Sequence, residues 1–184
     1  MTSQSVFLNN NLKLKLKLRF QSILKFIPET YVSVNIELQE LYLIKKNIIH
    51  LQFPVSTSKY GIGNLENSYK TPLGIHSIVS KIGSDAPVGR IFVDRIDTGK
   101  NWKPGMKEEN LILTRILRLK GLEPGINSGK NIDSYDRYIY IHGTSKEDRI
   151  GTPISHGCVC MRNNDIIKLY DSVKENAVVI INKG

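Results

Sequence analysis

The sequence predicts a mostly β domain of sandwich or barrel-like architecture, and three observations carry that expectation. Short apolar or alternating runs recur between Tyr31 and Ile181, and turn-forming Gly, Pro, Asn and Ser separate them. Only one segment shows a clear helical period. The 184 residues are enough to bury one core, and 40% hydrophobic with 23% charged residues is ordinary for a folded domain. No stretch approaches the ~18 consecutive apolar residues that a helical membrane span needs.

Taken in order, residues 1–30 read as a basic arm with little fixed structure, ahead of a domain at 31–184. Within the arm, Leu12-Lys13-Leu14-Lys15-Leu16-Lys17-Leu18-Arg19-Phe20 alternates apolar and basic residues. Period two is the mark of a strand with one apolar and one basic face, or of an arm lying on an anionic surface. The continuous apolar region and small-residue cleavage site of a secretory signal are not seen there. Tyr31–Leu38 alternates cleanly, and Leu41–Ile44 and Ile48–Val55 flank Lys45-Lys46-Asn47, which predicts a hairpin or meander. Residues 56–72 are rich in Ser, Thr, Asn, Gly and Pro and predict a loop. Further strands are expected at Gly74–Val79, Arg90–Ile96, Leu111–Leu119, Tyr138–Ile141 and Ala177–Ile181. The helix is expected over Asn164–Val173, where Ile166, Ile167, Leu169 and Tyr170 repeat with helical spacing and Asn163 or Asn164 can cap. A helical turn fits Ser145–Arg149. The stretch 97–110, holding Trp102, predicts a long loop that either covers a cleft or is pinned by packing.

A formal charge of +9 and a pI near 9.5 suit an anionic partner, whether nucleic acid, acidic lipid or cell-wall polymer. Nucleic acid is not expected, because the basic arm lacks the interleaved aromatics on which bases stack.

The two cysteines, Cys158 and Cys160, lie one residue apart and therefore do not form a loop-closing disulfide framework. Both fall in Ser155-His156-Gly157-Cys158-Val159-Cys160-Met161-Arg162-Asn163, downstream of Tyr138-Ile139-Tyr140-Ile141-His142-Gly143-Thr144. A thiol becomes a nucleophile when a base or positive field helps it lose its proton. His142 ends a strand-like run and His156 precedes Cys158 by two, so two imidazoles are candidates to converge on one thiol. Gly143 and Gly157 permit close backbone approach, and the amides of Gly157 and Cys158 are candidate oxyanion donors. Inert packing of free cysteines is the plainer alternative. A metal site of His142, His156, Cys158 and Cys160 is disfavoured, since Cys-x-Cys beside His-x-Cys crowds the ligands. His76 is a further candidate for the cleft, or else a packed strand histidine, and His50 reads as structural.

On His142-Gly143 followed by Ser155-His156-Gly157-Cys158, the sequence resembles the L,D-transpeptidase catalytic domain, or YkuD-type, family. Ser56-Thr57-Ser58-Lys59, Thr71-Pro72-Leu73-Gly74, the helix after Asn163 and the strand Ala177–Ile181 extend the likeness over about residues 31–182. The resemblance implies an L,D-transpeptidase-type β-sandwich with a helix after the nucleophile segment. It implies Cys158 as nucleophile, His142 as general base, and the Gly143 carbonyl orienting the His142 ring. His156, Gly157 and Cys158 then supply oxyanion donors, Ser155 supports them, and Arg162 and His76 are the substrate-binding candidates. The implied reaction is acyl transfer on peptidoglycan stem peptides, with L,D-carboxypeptidase hydrolysis at the same site and a non-catalytic wall-binding domain as alternatives. No metal or organic cofactor is implied, carbapenem-type inhibitors are implied partners, and the periplasm or cell envelope is the implied location. The sequence departs from the family where an arginine usually stands two residues beyond the nucleophile: here that residue is Cys160, and the nearest arginine is Arg162. A neutral thiol replaces neither the charge nor the donor fork of a guanidinium.

Overall fold

The computed structural model describes residues 10–106 and 110–184, with side chains from residue 14 onward. Among these residues ten strands form one mixed sheet: β1 (Thr30–Asn35), β2 (Glu40–Lys45), β3 (Ile48–Pro54), β4 (Gly74–Ile82), β5 (Arg90–Val93), β6 (Ile96–Asn101), β7 (Ile112–Gly121), β8 (Tyr140–Gly143), β9 (Val159–Met161) and β10 (Val178–Asn182). Among the described residues two α-helices accompany them, α1 (Asn10–Leu24) and α2 (Asn163–Ser172). The order is β3-β2-β1-β10-β4-β7-β5-β6, and the sheet branches at β7, which also carries β8 and through it β9.

Strand alternation explains the layers. β10 sends Val179 and Ile181 to one face, where β1, β2, β4, β7, β8, β9 and α2 supply the main core. Its other residues, Val178 and Ile180, face Tyr31, Ile44 and Ile75 on the opposite side. A strand apolar on both faces needs cover on both, and α1 provides the second cover with Leu16 and Phe20. Phe20 is 1% exposed and meets Tyr31 edge-on, ring centroids 5.0 Å apart. Arg19 pairs with the buried carboxylate of Glu123 at 2.9 Å, and Glu123 also accepts the Ile75 N–H. A helix over 10–24 replaces the strand or loose arm expected there, because Leu16, Phe20 and Leu24 form a helical stripe that fits the sheet's outer face. The first nine residues of the arm lie outside the described residues.

The segment following β3 closes the structure on itself. Ser56 bridges Cys160, exchanging N–H···O bonds of 2.9 and 2.8 Å, and Ser58 bridges Ser155. The expected loop after β3 therefore carries short pairings that bring the far edge of the sheet back to β9. The expected long loop at 97–110 is shorter: β6 occupies its first part, Trp102 is held by an N–H bond to the Gly89 carbonyl at 2.7 Å, and residues 107–109 lie outside the described residues.

Candidate active site

The site is built where β8 and β9 run in parallel register, His142 beside Cys160 and Gly143 beside Met161. Gly143 is required by space. A Cβ there would fall 2.5 Å from Asn163 Oδ1 and 2.7 Å from the Leu113 carbonyl oxygen. Asn163 opens α2, with Arg162 as the N-cap residue rather than Asn163 or Asn164. No capping hydrogen bond comes from the Arg162 side chain; instead the carboxylate of Glu147 accepts the Asn163 backbone N–H at 2.6 Å. The short 3₁₀ turn Glu147–Arg149 thus ties α2 to the end of β8.

His142 is 5% exposed, and its Nδ1 lies 2.8 Å from the Gly143 carbonyl. That bond places the proton on Nδ1 and leaves Nε2 as an acceptor. Burial pushes the imidazole down to about 4, the Gly143 carbonyl acting in the opposite sense, so the ring is neutral at pH 7. The thiol within reach of Nε2 is that of Cys160, at 3.8 Å. Cys160 is 5% exposed, and burial, with the nearby Cys158, drives its ionisation upward.

Cys158 is half-buried and packs against the cluster of Phe92, Ile116 and Tyr140. Its thiol donates to the Tyr138 carbonyl at 3.5 Å rather than to either imidazole. Burial pushes it up to about 11, while the Tyr140 N–H and the charge of Arg137 pull the other way. The resting nucleophile candidate is therefore a neutral thiol, and activation has to accompany attack rather than precede it. Gly157 adopts φ +121°, and its carbonyl accepts from Thr71 Oγ1 at 3.0 Å. Its amide, expected as an oxyanion donor, is engaged by Ser155 Oγ at 3.2 Å. Ser155 Oγ in turn donates to the Cys158 carbonyl at 2.6 Å, which fixes the turn leading into β9.

A cavity of about 120 Å³ unites these groups, lined by His142, Ser155, His156, Cys158 and Cys160 together with Thr144, Lys146, Ile154 and Asn110–Ile112. His156 is exposed and lies in an aromatic trio with Tyr60 and Tyr69, ring centroids 5.5 and 5.7 Å away. Burial, then Lys59 and Lys146, lower its basicity.

Two candidates are not brought to the cavity. His76, on β4, is wholly buried, with Nδ1 3.0 Å from the Gly74 carbonyl and Nε2 3.0 Å from Ser134 Oγ. It is an internal hydrogen-bonding residue and is not among those lining the cavity. Arg162 is exposed at the N-cap of α2 and does not line the cavity, so it does not substitute for a guanidinium at position 160. Two cations near the site carry no signal in the sequence. Lys146 lines the cavity and donates to Asn110 Oδ1 at 3.3 Å. Arg137 reaches the neighbourhood of Cys158 from the turn before β8. Neither sits at a spacing that marks it.

Residues 29–181 match the family profile described as the L,D-transpeptidase catalytic domain, YkuD. The chain is 26% identical over 153 residues to "Probable L,D-transpeptidase YbiS" of Escherichia coli K12, covering 80% of this chain and 49% of that protein. The chain thus spans about half the length of that curated relative. Its fold is similar to L,D-transpeptidase 3 from Mycobacterium tuberculosis in complex with a faropenem-derived adduct (TM-score 0.51, 17% identity, 85% of this chain and 61% of that one). It is also similar to the L,D-transpeptidase LdtMt1 in complex with imipenem (TM-score 0.53, 15% identity, 84% and 59%). At these identities the likeness to solved structures concerns the fold.

Proposed function

The chain belongs to the L,D-transpeptidase catalytic-domain family, and on that premise we propose that it performs cysteine-dependent acyl transfer on peptidoglycan stem peptides, with Cys158 as nucleophile. The observation that carries this reading is the cavity itself, whose lining includes both a half-buried thiol and a neutral, carbonyl-oriented imidazole.

Cys158 is preferred to Cys160 because it is the more accessible thiol of the pair, half-buried where Cys160 is 5% exposed. In the proposed reaction the Cys158 thiol turns from the Tyr138 carbonyl toward His142 Nε2, its sulfur attacks the carbonyl of the diamino acid in a stem tetrapeptide, and its proton passes to His142. The protonated imidazole then donates to the departing amine of the terminal D-alanine, leaving a thioester. An incoming amine from a second stem attacks the thioester and releases the thiol. Water in place of the amine gives carboxypeptidase hydrolysis. A neutral His142 suits this scheme, since an imidazole already protonated at pH 7 has no lone pair to offer. The Cys158 and His156 amides are the proposed oxyanion donors, the Gly157 amide being engaged by Ser155.

The M. tuberculosis and LdtMt1 structures in complex with a faropenem-derived adduct and imipenem support the expectation that β-lactams of this kind bind this chain, with Cys158 the residue proposed to be acylated. A peptidoglycan substrate, on this reading, would put the protein's work in the periplasm or cell envelope. On α1, Leu14 and Leu18 are 56% and 62% exposed one turn apart beside exposed Lys15 and Lys17, which supports peripheral contact with an anionic surface.

Product analysis with purified stem tetrapeptide tests the reaction class. Cross-linked dimer is the expected product; tripeptide alone assigns hydrolysis; unchanged tetrapeptide contradicts both.

A further inference from the structure

Cys160 leaves β9 without a guanidinium beside the nucleophile, and Arg162 is turned to solvent. We propose that Arg137 supplies the fixed positive charge for Cys158 in this chain, as a positioning residue for the thiolate delivered by the turn before β8 rather than by β9. The proposal rests on the reading of Cys158 as nucleophile.

The placement follows from shared anchors. The guanidinium of Arg137 donates through Nη2 to the Lys70 carbonyl at 2.7 Å and through Nη1 to the Gly63 carbonyl at 3.3 Å. The same Lys70 carbonyl lies 3.3 Å from where a Cβ on Gly157 would sit, and Thr71 holds the Gly157 carbonyl. The loop that pins Arg137 therefore also pins the residue before the nucleophile. On the other side, Tyr138 is the next residue after Arg137, and its carbonyl receives the Cys158 thiol. Arg137 and Cys158 are held by the same two segments, so their relative position is set by backbone rather than by free side-chain rotation. Arg137 is half-buried, which limits screening by solvent ions. The interaction is mutual: burial pushes the Cys158 thiol up and the Arg137 charge pulls it back down, while burial pulls the guanidinium down and a thiolate at Cys158 pushes it back up.

Other groups face the pair and bear on its titration. Glu66 acts on Arg137, and Tyr140 packs beside Cys158. His142, His156, Cys160 and Lys146 line the cavity with it. None of these supplies the anchored, permanently charged fork that Arg137 does.

The test is the pH profile of Cys158 alkylation by iodoacetamide in the full chain, with fragment-ion mass spectrometry separating Cys158 from Cys160. In Arg137→Gln the midpoint should rise by about one pH unit, so alkylation below the midpoint slows about tenfold. Arg137→Lys should retain most of the wild-type rate. Arg137→Met, which keeps the packed stem, is a second neutral variant should Arg137→Gln not fold. An unshifted midpoint in a folded neutral variant overturns the proposal. So does an Arg137→Lys profile as displaced as that of the neutral variants, since that outcome assigns Arg137 a purely structural role through its carbonyl contacts. Alkylation reports thiolate formation whether or not a stem peptide turns over. Failure here therefore leaves the functional reading standing, and failure of the tetrapeptide assay with a shifted alkylation midpoint keeps the charge pairing but removes its catalytic purpose.

Discussion

Acidification from pH 7 to pH 5 should remove about 4 kcal/mol of folding stability through two histidines alone. His76 is wholly buried and His142 is 5% exposed. Burial pushes each imidazole from 6.5 down to about 4. The hydrogen bonds explain why the neutral form is kept. In His76, Nδ1 donates to the Gly74 carbonyl, leaving Nε2 to accept from Ser134 Oγ and Asn127 Nδ2. A proton on Nε2 would face the Asn127 amide, itself a donor. In His142 the same tautomer leaves Nε2 toward the Cys160 thiol. Both folded values are depressed, so the unfolded chain takes up protons first. The stability is fully present above pH 6.5, falls as pH drops through the window from 6.5 to about 4, and falls no further below it. At pH 5 the difference amounts to about 2 kcal/mol per histidine, a large share of the roughly 5–15 kcal/mol that holds a domain together. Urea unfolding followed by circular dichroism at pH 7, 6 and 5 reads it directly. With a slope of about 2 kcal/mol per molar, the midpoint should drop by about 2 M over that range. Single replacements His76→Asn and His142→Asn should each remove about half of the pH dependence. Equal pH dependence in wild type and both variants would refute the reasoning, because carboxylates would then carry the whole effect.

Two further outcomes follow from the packing. Gly143→Ala pushes a methyl onto the Leu113 carbonyl and Asn163, neither of which gives way without moving β7 or α2. A loss of about 1–3 kcal/mol by urea unfolding is expected, together with slower acylation by imipenem. On α1, Leu18→Glu and Lys17→Glu should each weaken co-sedimentation with vesicles containing anionic phosphatidylglycerol while leaving the folded fraction unchanged. Equal sedimentation of wild type and variants would remove α1 from any surface contact.

The sheet was legible wherever one face is buried. The alternation of Tyr31–Leu38 and the paired runs around Lys45-Lys46-Asn47 reappear as β1, β2 and β3, because period two in sequence is the side-chain period of a strand. The same logic misled at Leu12–Phe20. With leucine at every second position, a helical stripe through Leu16, Phe20 and Leu24 coexists with perfect alternation, and only the apolar outer face of β1, β10 and β4 selects the helix. β6 was unreadable because Ile96–Asn101 is an exposed, largely polar edge strand, and β9 because three residues leave no period to detect. In the site, His142 and the segment from Ser155 to Cys160 do meet in one cavity. The pairing inside the cavity was not legible. Strand register sets Cys160, not Cys158, against His142, and register depends on the length of the intervening turn rather than on the motif. Arg137 was invisible for a related reason, since its anchors, the Gly63 and Lys70 carbonyls, lie about seventy residues away along the chain.

The central claim, that Cys158 is the acylated residue, is tested most directly by mass mapping after brief exposure to stem tetrapeptide or imipenem. One adduct is expected, on Cys158, absent in Cys158→Ala and retained in Cys160→Ala, where removal of the Cys160 thiol leaves His142 Nε2 open. An adduct on Cys160, or an undiminished adduct in Cys158→Ala, would contradict it and transfer the role to the thiol that already faces the imidazole.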